Sequence, residues 1–216
     1  MKKGMIFDLD GVIVNTTFYH FKAWQYLAKQ INIYFDISFN ENLKGISRIE
    51  SLEKILIYGD KEKIFNTTEK YILMAKKNDY YVKLLSKLSK RDIFPGVLDF
   101  IKQTRKKKIP CAIASASKNA TLILERLNIK DYFNVIVDPY SVTNSKPNPE
   151  IFLMAANLIN ILPSEAIGFE DSQAGIDGLN KANIFSVGIS SENNLVGAKL
   201  LVNSFKKINF EQLIMV

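Results

Sequence analysis

Two aspartates one residue apart close a short apolar run near the start of the chain: Met5-Ile6-Phe7 leads into Asp8-Leu9-Asp10-Gly11. A carboxylate at the end of a buried strand is costly unless it is paired or meets a cation. Three later stretches carry matching polar groups: Ser115-Ala116-Ser117-Lys118-Asn119, Ser145-Lys146-Pro147 and Glu170-Asp171-Ser172. Carboxylates gathered at one edge repel each other, and a hard divalent cation with oxygen ligands, magnesium, resolves that repulsion. Such an ion commonly completes its shell with water and a phosphate oxygen. Ser115 offers a hydroxyl, and the helix expected to begin near Asn119 offers backbone N–H groups to a phosphate. Lys146 adds a fixed positive charge. The chemistry implied is phosphoryl transfer, with Asp8 attacking phosphorus and the cation and Lys146 offsetting the repulsion. Asp10 shares a face with Asp8 while the chain stays extended, so it can exchange a proton with the leaving or attacking oxygen. Taken singly each stretch has a plain reading: a turn for "DLDG", loops for "SAS" and "SKP", and a strand end with Ser172 as helix cap for "GFEDS". Their order at successive strand ends separates the two readings.

Those ends have to be brought together by the elements that carry them. The first strand ends at Phe7 or Asp8. Helical patterns run from about Phe18 to Ile31, and another helix opens near Ser47, where "SRIE" has the capping-box form. Helical periodicity continues to about Leu88, with no strand expected between Asn15 and Lys90. After Pro95-Gly96 the grammar changes: an amphipathic helix, then "PCAIASAS", "NVIVD", "AIGFED" and "IFSVGI" as strands alternating with helices. Alternation of that kind implies a parallel sheet wrapped by helices. The expected fold is therefore α/β, a doubly wound parallel-sheet (Rossmann-like) core of residues 1–14 and 93–216, with an inserted all-helical cap of residues 15–92. In such sheets ligands gather beyond the carboxyl ends of the strands.

Composition narrows the partners. The 216 residues include 29 Lys and Arg against 22 Asp and Glu, a formal net charge of +7. The lysines are scattered in short groups and no basic stripe is interleaved with aromatics, so a solvated surface is favoured over nucleic-acid binding. The single cysteine, Cys111, excludes an internal disulfide and sits in an apolar run, as a buried structural thiol would. No signal peptide or membrane-spanning segment is expected, a cytoplasmic setting fits, and a monomer is the default.

The ordered set "FDLDG", "SASKN", "SKPNPEIF" and "GFEDSQAGI" resembles the four motifs of the haloacid dehalogenase superfamily of aspartate-nucleophile phosphotransferases, in the subgroup whose helical cap follows the first motif. The cap stretches "TTFYHFKAWQYLA", "FNENLKGISRIESLEKIL" and "KKNDYYVKLL" are similar to the β-phosphoglucomutase family within it. That resemblance implies interconversion of β-glucose 1-phosphate and glucose 6-phosphate through β-glucose 1,6-bisphosphate, with one magnesium ion. It implies Asp8 as nucleophile and Asp10 as general acid/base. The magnesium ligands implied are Asp8, the Asp10 carbonyl, Glu170 and Asp171. Ser115 and Lys146 would hold the transferring phosphoryl group. In the cap, Gly45, Ile46, Ser47 and Arg48, with Ser51 and Lys77, would meet the sugar phosphate. Ala116, Ser117, Lys118 and Asn119 would meet it from the core. Thr16 and His20 would position Asp10, and Trp24 would line the cap's entrance. Arg48 has a physical argument of its own: a cation in the first turn of a helix is out of place unless an anion joins it there. Asn15 departs from the family pattern, which carries an acid at that position. Two phosphate stations favour a mutase over the alternative, a sugar-phosphate or phosphoglycolate-type phosphatase; a catalytically silent phosphate-binding module ranks last.

Overall fold

The computed structural model describes residues 2–192 and 194–216. The chain begins with β1 (Gly4–Phe7), then enters a helical excursion: α1 (Thr17–Gln30), α2 (Ile37–Asn40), α3 (Arg48–Tyr58) and α4 (Thr67–Leu85). It returns through α5 (Val97–Lys106), β2 (Cys111–Ile113), α6 (Ala120–Arg126), β3 (Val135–Ile136) and α7 (Glu150–Leu158). It closes with β4 (Ala166–Glu170), α8 (Gln173–Lys181), β5 (Phe185–Ile189), β6 (Leu200–Val202) and α9 (Phe210–Leu213). The strands form one parallel sheet in the order β3-β2-β1-β4-β5-β6. The order reverses between β1 and β4, the switch point at which such sheets open a crevice.

Register levels the site. Phe7 pairs with Ile113 on one side and Phe169 on the other. The ladder runs one step further, with Asp8 N–H donating to the Phe169 carbonyl at 3.0 Å and Ala114 N–H to the Phe7 carbonyl at 2.8 Å. Asp8 therefore stands level with Ala114 on one side and Glu170 on the other, and Ser115 comes one residue beyond. Alternation along β1 sends Met5 and Phe7 to one core and Ile6 to the other. Phe7 stacks on Phe169 with centroids 4.7 Å apart, which locks the two carboxylate-bearing strand ends together from below. Cys111 is buried, and burial pushes its thiol up to about 12, in keeping with a structural role.

The excursion has a core of its own, with Phe21, Trp24 and Leu27 of α1 against Leu52 and Ile55 of α3 and Leu73 of α4. The outgoing and returning chains pair at its base: Asn15 N–H donates to the Asp92 carbonyl at 2.8 Å and Phe94 N–H to the Ile13 carbonyl at 3.0 Å. The capping box at Ser47 forms, and Ser172 caps α8 by accepting from Gly175 N–H. Two elements escape the sequence pattern, the edge strand β6 and the single turn α9; both are too short to show a period. Among the described residues no helix is long and apolar enough to cross a membrane.

Candidate active site

Asp8, just past the end of β1, is 6% exposed. Its carboxylate accepts from Lys146 Nζ at 2.6 Å. The same ammonium donates to Glu170 Oε1 at 2.5 Å and to the Ala114 carbonyl at 3.0 Å, so all three of its protons are used. Burial pushes the Asp8 carboxyl up, Lys146 opposes, and Glu170 and Asp10 add to the rise, leaving it at about 7. Burial would lower Lys146, but Asp8 and Glu170 outweigh it and hold the ammonium above its ordinary value. Ser115 is buried beside them, and its Oγ accepts from Ser117 N–H at 3.1 Å.

Glu170, expected as a metal ligand, sits at the centre of a hydrogen-bond network. It is fully buried, and both its oxygens are engaged. Oε1 takes Lys146, and Oε2 accepts the Ser172 hydroxyl at 2.9 Å and the N–H groups of Asp171 and Ser172 at 3.1 and 3.2 Å. A buried carboxylate needs such pairing, and α8 supplies it at its N-terminus. Glu170 does not line the cavity, whereas Asp171 does. Gly11, at φ +91, makes room for Asp171: a Cβ there would lie 2.0 Å from Asp171 Oδ2.

Asp10 is held by a second group of side chains. The Thr16 hydroxyl donates to Asp10 Oδ1, and His20 Nε2 lies 3.6 Å from the same oxygen. Thr16 is the residue before α1, yet its side chain makes no cap bond; the hydroxyl serves Asp10 instead. His20 Nδ1 lies 2.9 Å from Lys77 Nζ. An ammonium can only donate, so Nδ1 accepts and Nε2 carries the proton that faces Asp10. Burial pushes Asp10 up, but His20, Thr16 and Lys77 outweigh it and hold the carboxyl below its ordinary value. Burial and Lys77 together lower His20, against the pull of Asp10. Lys77 is driven well below the usual lysine value by burial and then by Arg48. Thr16, His20 and Trp24 recur at four-residue spacing and so share one face of α1.

Asp8, Asp10, His20, Lys77 and Asp171 line a cavity of about 90 Å³ beneath the helical excursion. Gly45, Ile46, Arg48 and Ser51 meet it from above, with Lys77, and Ser115 to Lys118 from below. Trp24 is a buried wall rather than an entrance residue: it is 3% exposed, with the Lys77 ammonium 4.6 Å from its ring centroid. Ser47 does not line this cavity; its hydroxyl donates to Glu50 at 2.7 Å in the capping box. Asn119, next to the lining residue Lys118, donates to Asn78. Lys118 reaches the rim, with its ammonium 3.7 Å from the Tyr140 ring centroid. The sequence reading missed Asn40, Leu43 and Lys44, which also line the cavity, and Asn78. Lys44 was the findable one, next to Gly45 in a stretch already singled out.

Asp8 and Asp171 both face the cavity, and burial, followed by their acidic neighbours, raises both. Lys146 is shared between Asp8 and Glu170 with its protons spent, and Lys44 and Lys146 only partly offset the rise of Asp171. An all-oxygen donor set with uncompensated negative charge fits a hard divalent cation. Among the described residues no three acidic, histidine or cysteine side chains converge into a complete cage. Magnesium usually completes a shell of carboxylates with backbone, water or substrate oxygens.

The comparisons with known proteins agree with this geometry. The profile of the haloacid dehalogenase-like hydrolase family matches residues 5–189. The chain is 44% identical over 211 residues to a β-phosphoglucomutase of Bacillus subtilis, covering 98% of this chain and 93% of that protein. It is 28% identical over 184 residues to a phosphorylated carbohydrates phosphatase of Thermotoga maritima, covering 84% of this chain and 82% of that one. A crystal structure of a β-phosphoglucomutase from Clostridium difficile superposes with a TM-score of 0.96 at 45% identity, covering 99% of this chain and 96% of the other. Parallel sheet, carboxylate-bearing strand ends and inserted helices together carry the conclusion that this chain belongs to the haloacid dehalogenase-like hydrolase family, on its β-phosphoglucomutase branch.

Proposed function

We infer that the protein interconverts β-glucose 1-phosphate and glucose 6-phosphate through β-glucose 1,6-bisphosphate, in a cytoplasmic setting. The observation that carries the reading is two separated places where a phosphate can be met around one small cavity, the Ser115 hydroxyl with the charge of Lys146 behind Asp8 on one side and the Arg48 guanidinium on the other. A phosphatase needs one such station; a mutase that presents either phosphate of a bisphosphate to one nucleophile needs both. The similarity to the Bacillus subtilis enzyme supports the same choice.

In this reading Asp8 Oδ attacks phosphorus and becomes the aspartyl phosphate, while Lys146 neutralises charge beside it. Asp10, kept ionised by His20 and Thr16, takes the proton from the attacking sugar hydroxyl and returns it to the leaving oxygen in the reverse sense. Magnesium held by Asp8, Asp171 and the Asp10 carbonyl would supply charge stabilisation at the phosphoryl oxygens. Lys77 donates to His20 and so fixes the tautomer that faces Asp10. Arg48 and Lys77 bring positive charge from the helical side. We propose residues 15–92 as a cap moving against a core of 1–14 and 93–216. Small-molecule sites usually span about 300–1,000 Å³, so a 90 Å³ cavity must open to admit a sugar phosphate and then close to exclude water.

With magnesium and a trace of bisphosphate, β-glucose 1-phosphate should yield glucose 6-phosphate in large excess over free phosphate, read by a coupled dehydrogenase assay and a phosphate assay side by side. Free phosphate as the main product would replace the mutase by the phosphatase.

A further inference from the structure

Asn78 lies on α4 next to Lys77, and its side chain ties the two halves of the molecule together. Its Oδ1 accepts from Arg48 Nη2 at 2.9 Å and from Asn119 Nδ2 at 2.9 Å. Arg48 opens α3 in the inserted helices, and Asn119 precedes α6 on the sheet side. All three side chains are half-buried. The amide orientation follows from chemistry: a guanidinium has donors only, so the atom of Asn78 that faces it is the oxygen.

We propose that Asn78 is a positioning residue for the non-reacting phosphate, holding Arg48 and Asn119 together as one anion site that exists only when the helices sit down on the sheet. The proposal rests on the mutase reading above and deepens it. Donor counting supports it. Asn78 takes one N–H from each partner, leaving four on Arg48 and one on Asn119 for an anion. Both lone pairs of the amide oxygen are used in the process, so the acceptor is saturated rather than aimed at the ligand. Neutrality also matters. A carboxylate at position 78 could accept the same two bonds, but its charge would satisfy Arg48 and repel a phosphate dianion. An amide aligns the donors without competing for their charge, and donors aligned beforehand need no ordering when the ligand arrives. Neighbouring Lys77 works on the Asp10 side through His20, so consecutive residues of α4 serve the two ends of the substrate.

The test compares Asn78→Ala, Asn78→Asp and Asn119→Ala with the parent protein. In Asn78→Ala the KM for β-glucose 1-phosphate and the calorimetric Kd for glucose 6-phosphate should each rise about tenfold, with kcat falling less. Hydrolysis of p-nitrophenyl phosphate, which has no second phosphate, should fall less than threefold. Asn78→Asp should melt within a few degrees of the parent and still raise KM at least as far as the alanine variant. Adding Asn78→Ala to Asn119→Ala should raise KM by under twofold, because the two act on one site. Unchanged KM and Kd in Asn78→Ala would overturn the proposal. So would parental kinetics in Asn78→Asp, or equal losses on both substrates. A parent protein that makes no glucose 6-phosphate overturns the mutase reading instead, and the glucose 6-phosphate Kd still decides the role of Asn78.

Discussion

Glu170 shows how a buried charge can be fixed by everything around it. One oxygen is held by Lys146 and the other by Ser172 and two backbone amides, so the carboxylate has nowhere to retreat. Gly175 of α8 sits against it: a Cβ at that position would lie 1.9 Å from the Glu170 carboxyl carbon. Gly175→Ala must therefore move either a helix or a four-bonded buried anion. Overpacking a tight site costs about 1–3 kcal/mol and occasionally more, and loss of the Glu170 bonds adds to it. The variant should unfold at clearly lower urea and lose turnover, because Lys146 depends on Glu170 for one of its three bonds. A urea midpoint within error of the parent would contradict the packing of Glu170 described here. The sequence could flag Glu170 as one of two acids at a strand end. It could not tell which of the pair faces the cavity, since that depends on how closely α8 approaches.

Among the elements, α3 is the one in which local and functional roles have to be separated. Ser47 accepts from Glu50 N–H at 3.3 Å and Glu50 accepts from Ser47 N–H at 3.0 Å. Ser47→Ala should cost about 1 kcal/mol of stability, the usual worth of such a cap, and Ser47→Thr should restore it. The KM for β-glucose 1-phosphate should change much less in Ser47→Ala than in Asn78→Ala, because the Ser47 hydroxyl does not line the cavity. A large KM increase with unchanged stability would return Ser47 to substrate binding. This element was legible beforehand because a capping box is local: four consecutive residues carry it. Asn78 was not, because its meaning lies in partners 30 and 41 residues away, and on the helix alone it looks like any solvated amide.

For the molecule as a whole, the alternation of short apolar strands with helices was enough to foresee the parallel sheet and the inserted helices. The balance of charge at the switch point was not, because it depends on burial. Four carboxylates, Asp8, Asp10, Glu170 and Asp171, meet there, and Asp8 and Asp171 are raised, first by burial and then by acidic neighbours. A carboxyl raised in the folded protein binds more protons folded than unfolded between its two pKa values. Stability then falls as pH rises through that interval, here from the model-peptide value of 3.8 to about 7 for Asp8. The sign is opposite to that of a salt-bridged surface acid. Magnesium binds the deprotonated form, so its stabilisation should grow over the same range. Thermal unfolding with and without magnesium from pH 5 to 8 should show a small magnesium-induced rise in Tm at pH 5 and a larger one at pH 8. Asp171→Asn removes one of the repelling charges, so without magnesium its Tm should fall less with pH than that of the parent. The magnesium response of this variant should also be weaker at pH 8. Equal magnesium shifts at both pH values, together with parallel Tm curves for parent and variant, would mean that this carboxylate cluster neither limits the stability of the fold nor holds the ion.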